Sequence, residues 1–222
     1  MFFDECGEPR NLIGLIRPVG PITTLDSHKR LYNRLMPKPW KPSKEQLLAA
    51  TTKTVRDVIA PDLNVLFCGI NPGLYTAAVG HHFARPGNRF WPTLHASGFT
   101  ERLLSPFDER ELLKFGFGIT NVVRRATASA DLLTKEEIIE GGKRLSLKVL
   151  RYRPRILAIL GMGAYRVAFS KPKAGLGRQS EMIGGTIVWV LPNPSGLNAN
   201  YQREDPARLF SDLRSQISNF KI

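Results

Sequence analysis

The chain has no apolar run approaching the roughly 18 residues that a membrane-spanning helix needs. Its first residues, Met1-Phe2-Phe3-Asp4-Glu5, carry acids where a secretory leader carries positive charge. A soluble intracellular protein is the expectation. Cysteine is also scarce. Cys6 and Cys68 are too few for a cysteine-rich zinc or iron–sulfur framework, and Cys68, inside an apolar run, reads as an inert core thiol. His81 and His82 are adjacent, so their side chains diverge on a strand or turn, and no third ligand stands nearby in sequence. No metal and no cofactor is expected.

Acid is the third shortage. Thirty-two Lys and Arg face 19 Asp and Glu, for a net charge of +13. No acid occurs between Asp62 and Glu101, nor between Glu140 and Glu181, and the second gap holds ten basic residues from Lys143 to Arg178. A polyanionic partner such as nucleic acid accounts for this better than an acidic small molecule. A solvated helix face with chance clustering is the plain alternative.

What is present is a globular composition, 42% hydrophobic over 222 residues, enough for one domain of about 150–180 residues plus an appendage. Residues 1–42 are proline-rich and basic and read as an irregular extension, with a short helix around 27–35. The domain is taken as 43–222. Ser43 and Gln46 have capping-box spacing, which predicts a helix running to about Ile59 and stopping at Pro61. Strands are predicted at 64–70, 116–121, 156–161 and 186–192. Helices are predicted at 88–97, 108–115 (Asp108 and Glu111 as capping box), 134–152 (Thr134 and Glu137), 164–170 and 206–220. The Gly141-Gly142 pair lies inside the third of these helices and implies close approach by another backbone. The stretch 171–185, rich in Gly, Lys and Arg, reads as a mobile surface loop. Strands alternating with helices predict an α/β fold: three layers, α/β/α, around a mostly parallel sheet of four to five strands.

Two of these strands break into tight Gly/Pro turns, Gly69-Ile70-Asn71-Pro72-Gly73 and Asn193-Pro194-Ser195-Gly196-Leu197. In an open α/β sheet ligands bind outside the carboxyl ends of strands, so both turns are placed to reach one site. Asn71 offers an amide on a stiff elbow, with Pro72 fixing one dihedral and Gly73 permitting the next; it can hold a water but not deprotonate it. No carboxylate follows it within about thirty residues in sequence. A purely structural Asn-Pro-Gly turn is the other reading. In the run from Gly80 to Trp91, Phe83 is the ring most suited to face a ligand, while Phe90 and Trp91 fit a core. Asn121, before Arg124-Arg125, either pairs with the edge of a pyrimidine or caps a turn. The Gly161-Met162-Gly163 turn lacks the rest of a dinucleotide fingerprint, and is a common strand-to-helix turn within reach of a phosphate. Leu197 is either an ordinary surface leucine or a wedge for a base stack.

These stretches, LFCGINPGLYTAAVGHHFARPGNRFW with GFGITNVVRR, EEIIEGGKRL and LPNPSGL, resemble the mismatch-specific uracil/thymine DNA glycosylases of the uracil-DNA glycosylase superfamily, over about residues 58–220. The resemblance implies that Asn71 places the attacking water. It implies a base pocket of Ile70, Gly73, Thr76, Phe83 and Asn121, with Phe83 stacking on the extruded base. Leu197 is the implied wedge, with Gly196 and Asn198 facing the orphaned guanine; Asn198 departs from the serine usual in bacterial relatives. Arg85, Arg89, Gly163 and Ser195 are the implied contacts to the DNA backbone. Asn121 and GHHFARPGN stand closer to the eukaryotic branch. Gly73 occupies the place of a tyrosine that excludes thymine from strict uracil enzymes. The implied protein is a monomeric, cofactor-free, monofunctional glycosylase acting on G·U and, more weakly, G·T pairs. It would act in the nucleoid region of a bacterial cytoplasm or in a eukaryotic nucleus. Two other readings of the residues remain, a mismatch-binding protein without chemistry and a nucleotide-dependent enzyme using the Gly161 turn.

Overall fold

The structure, a computed structural model, describes residues 41–195 and 206–218. In chain order the elements are α1 (Lys44–Ala49), β1 (Val65–Gly69), α2 (Leu74–Val79), α3 (Phe90–Ala96), β2 (Phe117–Asn121), α4 (Lys135–Tyr152), β3 (Ile156–Leu160), α5 (Met162–Ala168), β4 (Gly177–Ile183), β5 (Thr186–Leu191) and α6 (Pro206–Ser218). 3-10 turns lie at Ala50–Thr52, Pro106–Phe115 and Ala130–Leu132. The short helix expected around 27–35 lies outside the described residues. No helix among those described is long and apolar enough to cross a membrane.

The sheet order is β2-β1-β3-β5-β4, parallel throughout except for β4, which runs antiparallel on β5. Alternate strand residues enter two separate cores. Val65, Phe67, Ile119, Ala158 and Leu191 pack with Phe90 and Leu94 of α3 and Phe210 and Leu213 of α6. Leu66, Cys68, Leu157, Ile159 and Val190 pack with Leu145 and Val149 of α4 and Tyr165 of α5. A period of two feeding apolar side chains to both faces makes three layers, α/β/α, and explains why β1, β2 and β3 are buried at every position. Burial pushes the Cys68 thiol pKa well up, as an inert core thiol requires.

The glycine pair in α4 has the expected cause. A Cβ on Gly141 would stand 2.6 Å from the Val122 carbonyl oxygen, and one on Gly142 2.5 Å from that of Ala168. Helix α4 thus rests directly on the backbone leaving β2 and on the end of α5.

Three expectations are corrected. The helix opened by Ser43 has its capping box but ends at Ala49, with one 3-10 turn to Thr52. The chain beyond is extended because Val58 pairs across the edge of β2, donating to Ile119 O at 2.9 Å and accepting from Ile119 N at 2.7 Å. A helix cannot supply that pairing. The segment 171–185 is not a loop throughout. It contains β4, returned onto β5 through Gly184-Gly185, with Lys171 paired to Glu181. An edge strand open to solvent lacks the continuous apolar run that marks its neighbours; the Gly-Gly turn was the available signal. The helical turn before β2 begins earlier than expected, and its box joins Ser105 to Asp108, whose carboxylate accepts from the Ser105 N–H at 3.0 Å and hydroxyl at 2.9 Å.

One ionic group fixes the end of β2. Lys148 of α4 donates to Asp57 at 2.5 Å and to Thr120 Oγ1 at 2.7 Å, while the Thr120 hydroxyl donates to the second Asp57 oxygen at 2.8 Å. The Lys148 and Asp57 side chains are only 22% and 29% exposed. Lys148→Met is expected to lower stability by roughly 1–3 kcal/mol, since it leaves a half-buried carboxylate with one neutral partner. The readout is a lower urea midpoint at unchanged m-value.

Candidate active site

Parallel strands carry their last residues to one edge of the sheet. Gly69, closing β1, sits in register with Asn121, closing β2. Pairing then continues past both strands. Val122 and Val123 donate to the carbonyls of Gly69 and Ile70, each at 2.9 Å, Thr127 donates to Pro72 O at 3.1 Å, and Leu74 donates to Thr127 O at 3.1 Å. The Asn71 elbow is zipped along its length to segment 122–127.

That zipper orients Asn71. Its Nδ2 donates to Arg125 O at 2.9 Å and to Thr127 Oγ1 at 2.7 Å. The Thr127 hydroxyl itself donates to Ser129 O at 2.7 Å. A carboxamide has two N–H donors, and both are committed within the protein. Oδ1 remains as an acceptor. A water giving one hydrogen to Oδ1 keeps its lone pairs for an electrophile.

A cavity of about 320 Å³ opens here, lined by residues 69–73, Thr76, His82, Phe83, Arg85, Asn88, Asn121, residues 127–131, Asn193 and Ser195. It is therefore bordered by both turns singled out in the sequence. The second turn is held by Arg89, whose N–H donates to Pro194 O at 3.0 Å and whose Nη2 donates to Ser195 O at 3.1 Å. Arg89 thus clamps the second turn to the start of α3. Phe83 adopts φ 55°, unusual for a bulky residue. Its ring stacks on Phe90 at 4.1 Å between centroids and 25° between planes. Phe90 and Trp91 are core residues.

Gly73 differs from expectation in one respect. Its backbone, φ −71° and ψ 158°, is open to any residue, so it does not act as a special turn. A Cβ there would meet nothing within 4 Å. Its contribution is vacant space. Gly69 is the opposite case: a Cβ would stand 2.6 Å from Asn121 Oδ1 and 3.4 Å from the Phe83 ring. Gly69→Ala is expected to fold with nearly wild-type stability, because the clash falls on the tip of a side chain, yet to displace Asn121. At least a roughly tenfold fall in single-turnover activity, at an unchanged melting temperature, is the check.

His82 is buried behind Asn121. Its Nε2 lies 3.0 Å from Arg56 O and its Nδ1 3.5 Å from Asn121 Nδ2. Its backbone N–H donates to the buried Glu109 carboxylate at 2.7 Å, which also meets His81 Nδ1 at 3.0 Å. Burial lowers the His82 pKa, with the Glu109 charge opposing. The ring is neutral at pH 7.

Of the other expected residues, Ile70, Thr76, Arg85 and Ser195 line the cavity. Gly163, exposed in the first turn of α5, does not. Gly196, Leu197 and Asn198 lie outside the described residues. Residues 127–131 went unread because they carry no motif; their alternating Thr and Ser after a strand-end amide was the available signal. They also correct the picture of a site remote from any carboxylate, since the exposed Asp131 stands on the rim and accepts from Ser129 Oγ at 3.1 Å. Arg125 is held by Glu137, whose pKa its hydrogen bonds pull down to about 2. The basic stretch 143–178 does not line the cavity either. Lys143 and Arg144 pair with Glu140, Lys148 with Asp57, Arg153 with Asp62 and Lys171 with Glu181. Five of the ten cations thus meet acids, and among the described residues Arg85 is the Lys or Arg that lines the cavity.

Fold and site together define a class: a strongly basic α/β protein whose amide-bearing, ring-sided cavity at the carboxyl ends of parallel strands is suited to a planar polar ring carried on a polyanion. Residues 56–214 match the family model of the Uracil DNA glycosylase superfamily, and the chain belongs to that superfamily. It is accordingly a DNA glycosylase, a hydrolase acting on DNA.

Proposed function

We propose that the protein is a monofunctional glycosylase of the mismatch-specific branch. It extrudes uracil, and also thymine, 5-substituted uracil or 3,N4-ethenocytosine, from a pair with guanine in double-stranded DNA. It then hydrolyses the N-glycosidic bond and so initiates base excision repair. The observation that carries this reading is the vacancy at Gly73 beside the anchored Asn71 amide. Room for a C5 substituent stands next to a water-holding acceptor.

Flipping a base costs a few kcal/mol, least for a mispair. Stacking on Phe83 returns about 1–3 kcal/mol of that. Asn71 cannot take a proton, so the chemistry must lean on the leaving group: the base departs as an anion, leaving an oxocarbenium-like sugar that the Asn71-bound water captures. Preorganised backbone N–H groups and Asn121 stabilise the departing charge. No lysine is among the described residues on the cavity, which favours hydrolysis over a Schiff base and leaves the strand uncut.

In this reading Leu197 fills the vacated stack while Gly196 and Asn198 meet the orphaned guanine. Arg85, Gly163 and Ser195 contact the DNA backbone, with Arg89 holding Ser195 in place. The glycosylase domain is 43–222, preceded by a basic extension, and the compact unit beginning at Pro42 supports that boundary. The protein acts as a monomer without a cofactor, in the compartment that holds the DNA.

The test is a duplex with one G·U pair, incubated with stoichiometric protein and then heated in alkali. Cleavage at the uracil is expected. Intact strands would overturn the reading, and tight binding without base release would make this a mismatch-binding protein.

A further inference from the structure

One carboxylate borders the cavity, and the proposed reaction gives it no task. Among the described lining residues the acid is Asp131, in a chain whose net charge is +13. Other acids meet a cation: Asp57 meets Lys148, Asp62 Arg153, Glu137 Arg125 and Glu181 Lys171. Asp131 meets no Lys or Arg among the described residues. Its partner is neutral, the Ser129 hydroxyl, which donates to it at 3.1 Å. The guanidinium that braces this turn is committed elsewhere. Arg125 gives two bonds to Glu137, at 2.6 and 2.8 Å, and one to Leu132 O at 3.1 Å. The charge on Asp131 therefore acts undiminished on whatever enters the cavity.

The carboxylate is also fixed in place. It sits in the 3-10 turn Ala130–Leu132, closed by Leu132 N–H on Ser129 O at 3.2 Å and Leu133 N–H on Ala130 O at 3.1 Å. Ser129 O takes the Thr127 hydroxyl as well, at 2.7 Å, and Thr127 pairs with Gly73 in a parallel bridge. Segment 127–131 is thus one wall of the cavity: it begins beside Gly73, where the space is vacant, and ends in a carboxylate. Charges act over about 8–10 Å at physiological salt. In a cavity of about 320 Å³, a group lodged at Gly73 falls within that reach.

We infer that Asp131 is a charge filter on the C5 substituent of the extruded base: the room at Gly73 takes neutral and cationic groups and turns away anionic ones. The inference rests on the glycosylase reading above and on Gly73 lying beside C5. Uracil, thymine and 3,N4-ethenocytosine carry no charge and pass the filter alike. A carboxyl group on C5 is ionised near neutral pH and meets Asp131 as a like charge, whereas an aminomethyl group is an ammonium and meets it as an opposite one.

Arg85 also lines the cavity, and no bond joins it to Asp131 among the described residues. With Asp131 neutralised, Arg85 becomes the Lys or Arg charge left on the described lining. The preference should then move toward anions and away from cations.

The test measures single-turnover release of 5-carboxyuracil, 5-carbamoyluracil and 5-aminomethyluracil, each opposite guanine in the same duplex, at pH 7.5 and saturating protein. The first two have nearly the same shape and differ in charge. Their intrinsic leaving abilities also differ, but these cancel when a variant's ratio is divided by that of the unaltered protein. Asp131→Asn keeps an acceptor for Ser129 and removes the charge; it should raise the carboxy-to-carbamoyl ratio roughly fivefold. Asp131→Lys reverses the charge and should raise it roughly twentyfold. The aminomethyl-to-carbamoyl ratio should fall in both variants. Asp131 is exposed, so both variants should fold, and melting temperatures accompany each. Ratios unmoved in both variants, or both charged bases shifted the same way, overturn the inference while leaving the glycosylase reading intact. Release of uracil but of none of the three substituted bases does the same. Release of no base at all, uracil included, by the unaltered protein overturns the glycosylase reading itself.

Discussion

Asn71→Ala should lower single-turnover uracil release from a G·U duplex by at least about a hundredfold while leaving duplex affinity nearly unchanged. The amide is bound from behind by Arg125 O and Thr127 Oγ1, so its acceptor is preorganised and nothing else on the elbow replaces it. The more telling variant is Asn71→Asp. A carboxylate in the same position would face the Arg125 carbonyl with no donor between them. Thr127 can donate to it only by turning its hydroxyl hydrogen away from Ser129 O, so one bond is lost either way. These losses are expected to cost about 1–3 kcal/mol of stability. The rate should stay well below wild type even though aspartate can act as a base. An aspartate variant as fast as wild type would show that anchoring the amide is not what places the water.

The second large effect concerns Gly73. Its φ of −71° suits any side chain, and open space surrounds the site of a Cβ, so Gly73→Tyr should fold with stability within about 0.5 kcal/mol of wild type. The tyrosine would occupy the room for a C5 substituent. Selectivity for uracil over thymine opposite guanine should rise at least about tenfold, the usual scale for one methyl group against a wall. The comparison is a pair of single-turnover rates. Equal loss on both bases would mean that the vacancy is not beside C5.

The strands of the inner sheet were legible because burial on both faces leaves a run of apolar residues with little else in it, as in β1 and β3. Strand β4 was not, because its outer face meets water and its sequence, Gly177–Ile183, looks like a loop. The early end of α1 was hidden for a related reason: the local pattern allows a helix, and a partner more than fifty residues away, Ile119, draws Val58 into extended pairing.

The site divides the same way. Asn71, Phe83, Asn121 and the second turn were found because strand-end turns carry their own signature and the motifs occur together in order. The segment 127–131 has no signature. Its part in the site comes from contact with a residue 56 positions earlier, Asn71 with Thr127. The cation cluster at 143–178 pointed to a nucleic-acid partner, in keeping with a superfamily that acts on DNA, yet it does not line the cavity. Neighbours in sequence on a helix face in different directions, and several of these cations meet acids that the sequence places far away.

The sequence by itself determined the alternation of strands and helices, the positive charge, and the identity of the side chains delivered to the strand ends. Those are properties of single residues and short runs. Tertiary structure alone decided which hydrogen-bonding atoms remain for a ligand. A donor is withdrawn or left available by what lies opposite it, and the groups opposite Asn71 and Asn121 arrive from other strands and turns.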